Sequence, residues 1–312
     1  MMPSATAAPL DAVRSVRTHP ADGGALLRAE QRVDADQLYL RAHFPGEAVY
    51  PGVFLLDTLQ QAAAGTVPDA RIARVISLRC LAPLAGGAEF VLEATTRPMG
   101  GGCTEVTGSY LRADGVCAAR IRAELGPPLP EADPVRPPRT AGTAGPEPAR
   151  LRELLPHGWP MLLVDQVIHL EPGKRLTALK AVTAAEPCYR NVPRAAAAEE
   201  YDYPFSLLLE SFGQSAAVLW RTAAREQEDT GIPMFVAARD ARQYFPVRPG
   251  DVVTHEVVLE HVSTGSALAH GTSHVSGRAV AGWRSLMAVS RPPRQVLPAA
   301  AARPGQSQEE RS

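Results

Sequence analysis

AHFPGEAVYPGVFLLDTLQQAAAG, residues 42–65, is the stretch on which the fold turns. It is a polar-tipped loop feeding an apolar helix. His43 stands at the loop start and Pro51-Gly52 closes it; proline is favoured at or just before a first helical turn. Val53, Phe54, Leu55, Leu56, Leu59, Ala62, Ala63 and Ala64 make the helix apolar nearly all round, the pattern of a buried helix. Asp57 sits one turn in, and Gln61 one turn further on the same face. A buried carboxylate is costly unless it is paired or put to use, so this helix is where chemistry is expected.

Working outward, LLRAEQRV and DQLYLRAHF in front of the helix alternate apolar and polar residues and predict strands. Residues 1–22 have no sustained period and read as irregular. Behind the helix, residues 72–81, 88–96, 103–111 and 116–125 alternate again. Glycine-rich corners separate the last three, and Asp114-Gly115 is a hairpin signal. The first half, residues 1–125, is thus one buried helix followed by an antiparallel meander. Residues 126–150, dense in proline and glycine, read as a solvent-exposed linker. The order then repeats over 151–291. A turn at Pro172-Gly173 and a polar loop at 186–200 precede a second apolar helix over 203–225. Strand-like runs follow at 233–245, 251–262, 267–275 and 279–289. Residues 292–312 have the composition of a disordered tail.

The totals exclude several classes. A chain of 312 residues with 45% apolar and 21% charged residues has the size of two globular domains. A formal net charge of −1 leaves no nucleic-acid footprint. The four cysteines form no C-x-x-C pair, so no metal site is expected from spacing. Neither a signal peptide nor a membrane span is legible, and the expectation is a cytoplasmic protein.

The ordered features of residues 42–65 closely resemble the bacterial β-hydroxyacyl-acyl-carrier-protein dehydratases of the hot-dog fold. Those enzymes carry His-Phe-Pro-Gly, a Pro-Gly, then a helix with an acid followed four residues later by Gln. Here His and acid stand fourteen positions apart. LLPHGWPMLLVDQV, VTAAEP and YFPVRPGD carry the same resemblance in the second half. Aligning the helices puts Glu210 where Asp57 stands and Gln214 where Gln61 stands, while the second half lacks the His-Phe-Pro-Gly loop and has Phe205 in place of Gly52. The resemblance implies an α+β double hot-dog: two antiparallel sheets, each wrapped around a central apolar helix, joined into one continuous sheet. The dehydratase domains of modular polyketide synthases divide their residues in this way.

The resemblance further implies one composite active site, with His43 as base and Glu210 as acid. Gly52 and Val53 would bind the thioester oxygen through helix-start N–H groups, and Gln214 would orient the carboxyl. Asp57 and Gln61 would be the relic of a second site. The implied activity is dehydration of a 3-hydroxyacyl thioester carried on the phosphopantetheine of an acyl carrier protein, with no metal or redox cofactor, in a monomeric pseudodimer or its homodimer. A neutral imidazole can take the α-proton near neutral pH, and a buried Glu can stay protonated to release the β-hydroxyl. Two rival readings remain: a hot-dog thioesterase, and a non-catalytic carrier-binding partner subunit. His157 is expected to be structural, and His255, His261, His270 and His274 to occupy sheet or surface positions. Trp159 and Trp220 are expected as core or interface aromatics. Arg71, Arg74, Arg221, Arg225, Arg239 and Arg242 flank the helices, either as a solvated face or as a docking patch for an acidic carrier.

Overall fold

Alternating side chains build one very wide sheet. In the computed structural model, which describes residues 6–46, 48–130, 143, 145–223, 231–263 and 265–292, the first half contributes β1 (Ser15–Ala21), β2 (Gly24–Arg32), β3 (Ile72–Cys80), β4 (Glu89–Pro98), β5 (Thr104–Arg112) and β6 (Cys117–Leu125). The second contributes β7 (Gln166–Glu171), β8 (Arg175–Ala181), β9 (Ile232–Gln243), β10 (Val252–Val262), β11 (Ser266–Val275) and β12 (Arg278–Arg291). All twelve lie in one sheet in the order β1-β2-β4-β5-β6-β3-β9-β12-β11-β10-β8-β7. Read from the middle, both halves have the same order. The seam pairs equivalent strands antiparallel, with Val75 opposite Ala241 and Leu78 opposite Ala238, as an approximate two-fold axis requires. The resemblance's double hot-dog is therefore the architecture seen.

Each half wraps its sheet around one helix, α2 (Leu55–Ala63) in the first and α4 (Phe205–Ala223) in the second. Leu56, Leu59, Leu208 and Leu209 are essentially sealed from solvent, which removes apolar area worth about 25 cal/mol per Å². No described helix is long and apolar enough to cross a membrane.

Several local expectations need correction. The segment read as irregular holds β1, paired with β2 from Ser15 to Ala21. The second run read as a strand is a short helix, α1 (Leu38–His43), in which the Gln37 side chain accepts from the N–H groups of Tyr39 and Leu40. Alternation over six residues does not separate a period of 2 from one of 3.6. The meander holds for β4-β5-β6, but β3 crosses to the far side of β6. The expected linker ends early, because α3 (Pro148–Leu154) starts inside it with proline in its first turn; residues 131–142 and 144 of that linker, and the tail beyond Pro292, lie outside the described residues. Trp159 is 74% exposed rather than a core aromatic, whereas Trp220 is buried.

Candidate active site

His43 is the last residue of α1, and its ring lies against Phe44 with centroids 4.0 Å apart. Its Nδ1 lies 3.0 Å from the Val49 carbonyl oxygen. A carbonyl only accepts, so Nδ1 carries the proton and Nε2 keeps its lone pair. Burial pushes the imidazole down to about 4, and the bond to Val49 offsets only part of this. A helix C-terminus favours a charged His by less than complete burial disfavours it. His43 is therefore neutral at neutral pH.

Glu210 sits in the second turn of α4. Desolvation raises its carboxyl to about 7, with the Gln214 amide pulling the other way. That amide donates to Glu210 Oε1 at 2.9 Å and to the Met161 carbonyl at 2.7 Å, while its oxygen accepts the Leu163 N–H at 2.8 Å. Because Oε1 accepts, a proton on the neutral carboxyl belongs on Oε2. Behind Glu210 the helix is pinned to the sheet. Ser211 Oγ donates to the Leu163 carbonyl at 2.7 Å and lies 2.9 Å from His255 Nε2, and His255 Nδ1 lies 2.7 Å from Ser273 Oγ. His255 thus takes the sheet position expected of it. It is buried, and desolvation lowers it to about 3.

The residue that sequence reasoning missed is His157. It was expected to be structural, yet its Nε2 is 3.4 Å from Glu210 Oε1 and its ring 5.5 Å from that of His43. Burial and the neighbouring His43 hold it well below the usual histidine range, and its Nδ1 has no hydrogen-bond partner. The Gly158 N–H bonds the Ala42 carbonyl at 2.7 Å, which ties the His157 loop to the end of α1. A Cβ at Gly158 would stand 3.3 Å from Pro45. The only sequence signal was the His-Gly pair itself.

His43, His157 and Glu210 each present one donor atom, and these three lie within 4.8 Å of one another. Two neutral imidazoles and a carboxyl at that spacing suit proton transfer; the same donors also fit a divalent cation. They open on a cavity of about 800 Å³ counting its mouth, also lined by Tyr50, Gly52, Val53 and Gln214. Gly52 opens the 3-10 turn Gly52–Phe54 that leads into α2, where backbone N–H groups lack intrahelical acceptors. A Cβ at Gly52 would fall 2.8 Å from Cys80 Sγ and 3.1 Å from the Phe235 ring, so a side chain there would have to displace one of them.

Asp57 and Gln61 are not brought to this cavity. Asp57 is buried at about 7 through desolvation, and its Oδ2 has no hydrogen-bond partner. Gln61 bonds the Leu10 carbonyl at 2.9 Å and the Ala12 N–H at 2.7 Å. The corresponding hollow, about 480 Å³, is lined by Thr6, Tyr203, Pro204 and Phe205; neither Asp57 nor any histidine is among its described lining residues.

Of the arginines flanking the helices, four are engaged within the chain. Arg71 pairs with Asp69 at 2.7 Å and Asp202 at 3.1 Å, and Arg74 and Arg242 each meet Asp240 at 2.7 Å. Arg221 bonds the Gly231 carbonyl. Arg225 lies outside the described residues.

A family profile described as the FabA-like domain matches residues 3–70. The 3-hydroxyacyl-[acyl-carrier-protein] dehydratase FabZ of Variovorax paradoxus (strain S110) is 38% identical over 135 residues, 43% of this chain and 83% of that protein. The chain belongs to the FabZ family of dehydratases. The FabZ of Polaromonas sp. (strain JS666 / ATCC BAA-500) is 37% identical over 139 residues, 44% of this chain and 92% of that one. Two solved structures share the fold: the dehydratase domain of PpsC from Mycobacterium tuberculosis (TM-score 0.63, 14% identity, 90% of this chain and 98% of that one) and that of the CurJ module of the curacin polyketide synthase (0.64, 14%, 93% and 98%). Each FabZ relative matches less than half of this dehydratase, and each double hot-dog about nine-tenths of it, so the extra length is a second hot-dog unit. The thioesterase and non-catalytic readings give way to that of a dehydratase of fatty-acid or polyketide synthesis.

Proposed function

We propose that this dehydratase works through one composite site, His43 from residues 1–125 and Glu210 from residues 151–291, on a 3-hydroxyacyl group carried by an acyl carrier protein in the cytoplasm. The observation that carries the reading is that these two residues, 167 positions apart in the chain, line one cavity with donor atoms within 4.8 Å.

His43 Nε2 takes the proton from the α-carbon. The negative charge that develops on the thioester oxygen is held by N–H groups at Gly52 and Val53. Glu210 gives its proton to the β-hydroxyl, which leaves as water, and the double bond forms between the α and β carbons. The protonated His43 then returns its proton to the Glu210 carboxylate through water, and the site is reset. His157 bridges acid and base and holds Glu210 Oε1 in place. Each proton-transfer role is worth about 10²–10⁴ in rate.

The test is turnover of a 3-hydroxyacyl thioester on carrier protein or pantetheine. The expected product is the 2-enoyl thioester plus water. Free acid and thiol would instead mean hydrolysis, and no turnover without a second hot-dog chain would mean a partner subunit.

A further inference from the structure

The catalytic cavity has a polar end and an apolar end. Beyond Gln214 the lining is hydrophobic, and its one polar side-chain atom is the indole nitrogen of Trp220. Along α4 the wall runs through Gly213, Ala216, Ala217 and Trp220, steps of three and four that keep to one helix face. Opposite stand Ala267 and Ala269 of β11. Three of the four helix residues are as small as residues come, and the fourth is the largest there is.

Gly213 has no structural excuse. Glycine inside a helix is destabilising relative to alanine, and a Cβ built there meets nothing within 4 Å. No neighbour excludes a side chain; the space it leaves is cavity. Trp220, ten residues beyond Glu210 and buried, is the last α4 residue on the wall. Ten helical residues advance about 15 Å. An extended chain advances about 1.2 Å per bond, and the indole leans back toward the helix start, so the trough holds about ten bonds. Short of the Trp220 indole at its far end, no side chain lining it past Gln214 carries a polar atom, so a hydroxyl or keto group in the middle of the tail would lose its water and gain no side-chain partner.

We propose that the substrates are linear, unfunctionalised acyl chains of medium length, that Gly213 with Ala216 and Ala217 keeps the trough open for the tail, and that Trp220 is the floor that sets the longest chain accepted. This rests on the dehydratase reading above and narrows its substrate class.

The test is kcat/KM for 3-hydroxyacyl-pantetheine thioesters of four, eight, twelve and eighteen carbons, and for a twelve-carbon chain with an added mid-tail hydroxyl. Wild type, Gly213→Leu, Trp220→Phe and Trp220→Ala are compared, with Tm measured for each. In wild type, kcat/KM is expected to rise from four to twelve carbons, fall at eighteen, and drop by about tenfold on adding the hydroxyl, the cost of burying a hydroxyl without a partner. Gly213→Leu is expected to lower the twelve-to-four ratio by about tenfold or more, through KM, with Tm unchanged or raised. Trp220→Ala should move the optimum to longer chains, with Trp220→Phe intermediate and folded if the alanine variant is not. A wild-type enzyme that dehydrates all lengths alike, or a twelve-to-four ratio that Gly213→Leu leaves in place, overturns the trough while leaving the dehydratase intact. Absence of dehydration at every length overturns the parent reading instead.

Discussion

Gln61 and Gln214 make the same pair of bonds in the two halves. Each accepts a backbone N–H and donates to the carbonyl two residues before it, Ala12 and Leu10 for Gln61, Leu163 and Met161 for Gln214. The scaffolds around the two acids are therefore equivalent, yet one acid faces two imidazoles and a cavity while the other is sealed. The backbone frame is not what makes a site. What differs is a handful of side chains. His43 has no counterpart, the position matching His157 is Thr6, and Gly52 is matched by Phe205, whose ring stacks on Trp283 at 5.3 Å. A trough needs an absence of side chain at one point and imidazoles at two others.

The comparison breaks most sharply on the acids. His43→Ala and Glu210→Gln should each lower kcat by about 10²–10⁴, measured as enoyl-thioester formation, whereas Asp57→Asn should leave it within about twofold. Equal damage from the two acid variants would mean two working sites. The pH profile sharpens this. On the proposed mechanism turnover needs His43 neutral and Glu210 protonated, so kcat/KM should form a bell between about 4, where His43 becomes charged, and about 7, where Glu210 loses its proton. His157→Ala should lower kcat by about tenfold and shift the alkaline limb, with little change in KM. The glutamines come next. Gln214→Ala loses buried hydrogen bonds and Gln61→Ala part-buried ones; each should lower Tm, Gln214→Ala the more, and only Gln214→Ala should also lower kcat.

The smallest effect separates the acids by stability. The Asp57 carboxyl is raised on folding, so the folded state binds its proton more tightly than the unfolded one. Its contribution is present at low pH and is lost as pH rises through about 7. Asp57→Asn should therefore gain Tm over wild type by a few degrees more at pH 8 than at pH 6. His255 has the opposite sign. Its folded value is depressed to about 3, so stability should be lost as pH falls below the ordinary histidine range toward that value.

Most of the strands and both central helices were legible because burial imposes a period on them: 2 in β2 and β4, nearly none in α2 and α4, which are buried all round. α1 was not legible, since its cap is the Gln37 side chain, outside the residues that usually start helices. At the site, His43, Gly52, Asp57 and Glu210 stood out by spacing. His157 did not, because it meets His43 through contacts between segments 116 residues apart, among them the backbone bond from Gly158 to Ala42 at the end of α1, and nothing local encodes that. Leu10–Ala12 was invisible for the same reason: it satisfies Gln61 with main-chain atoms, which any sequence supplies.

The seam at β3 and β9 has a genetic consequence. Where two identical chains meet across such a seam, any substitution is made twice, and a bulky residue that closes one cavity closes both. Here the strands on either side belong to one chain with separately encoded positions. Phe205 can thus close its side while Gly52 stands on the other, and under the one-site mechanism proposed above the closed side can go on changing without loss of turnover.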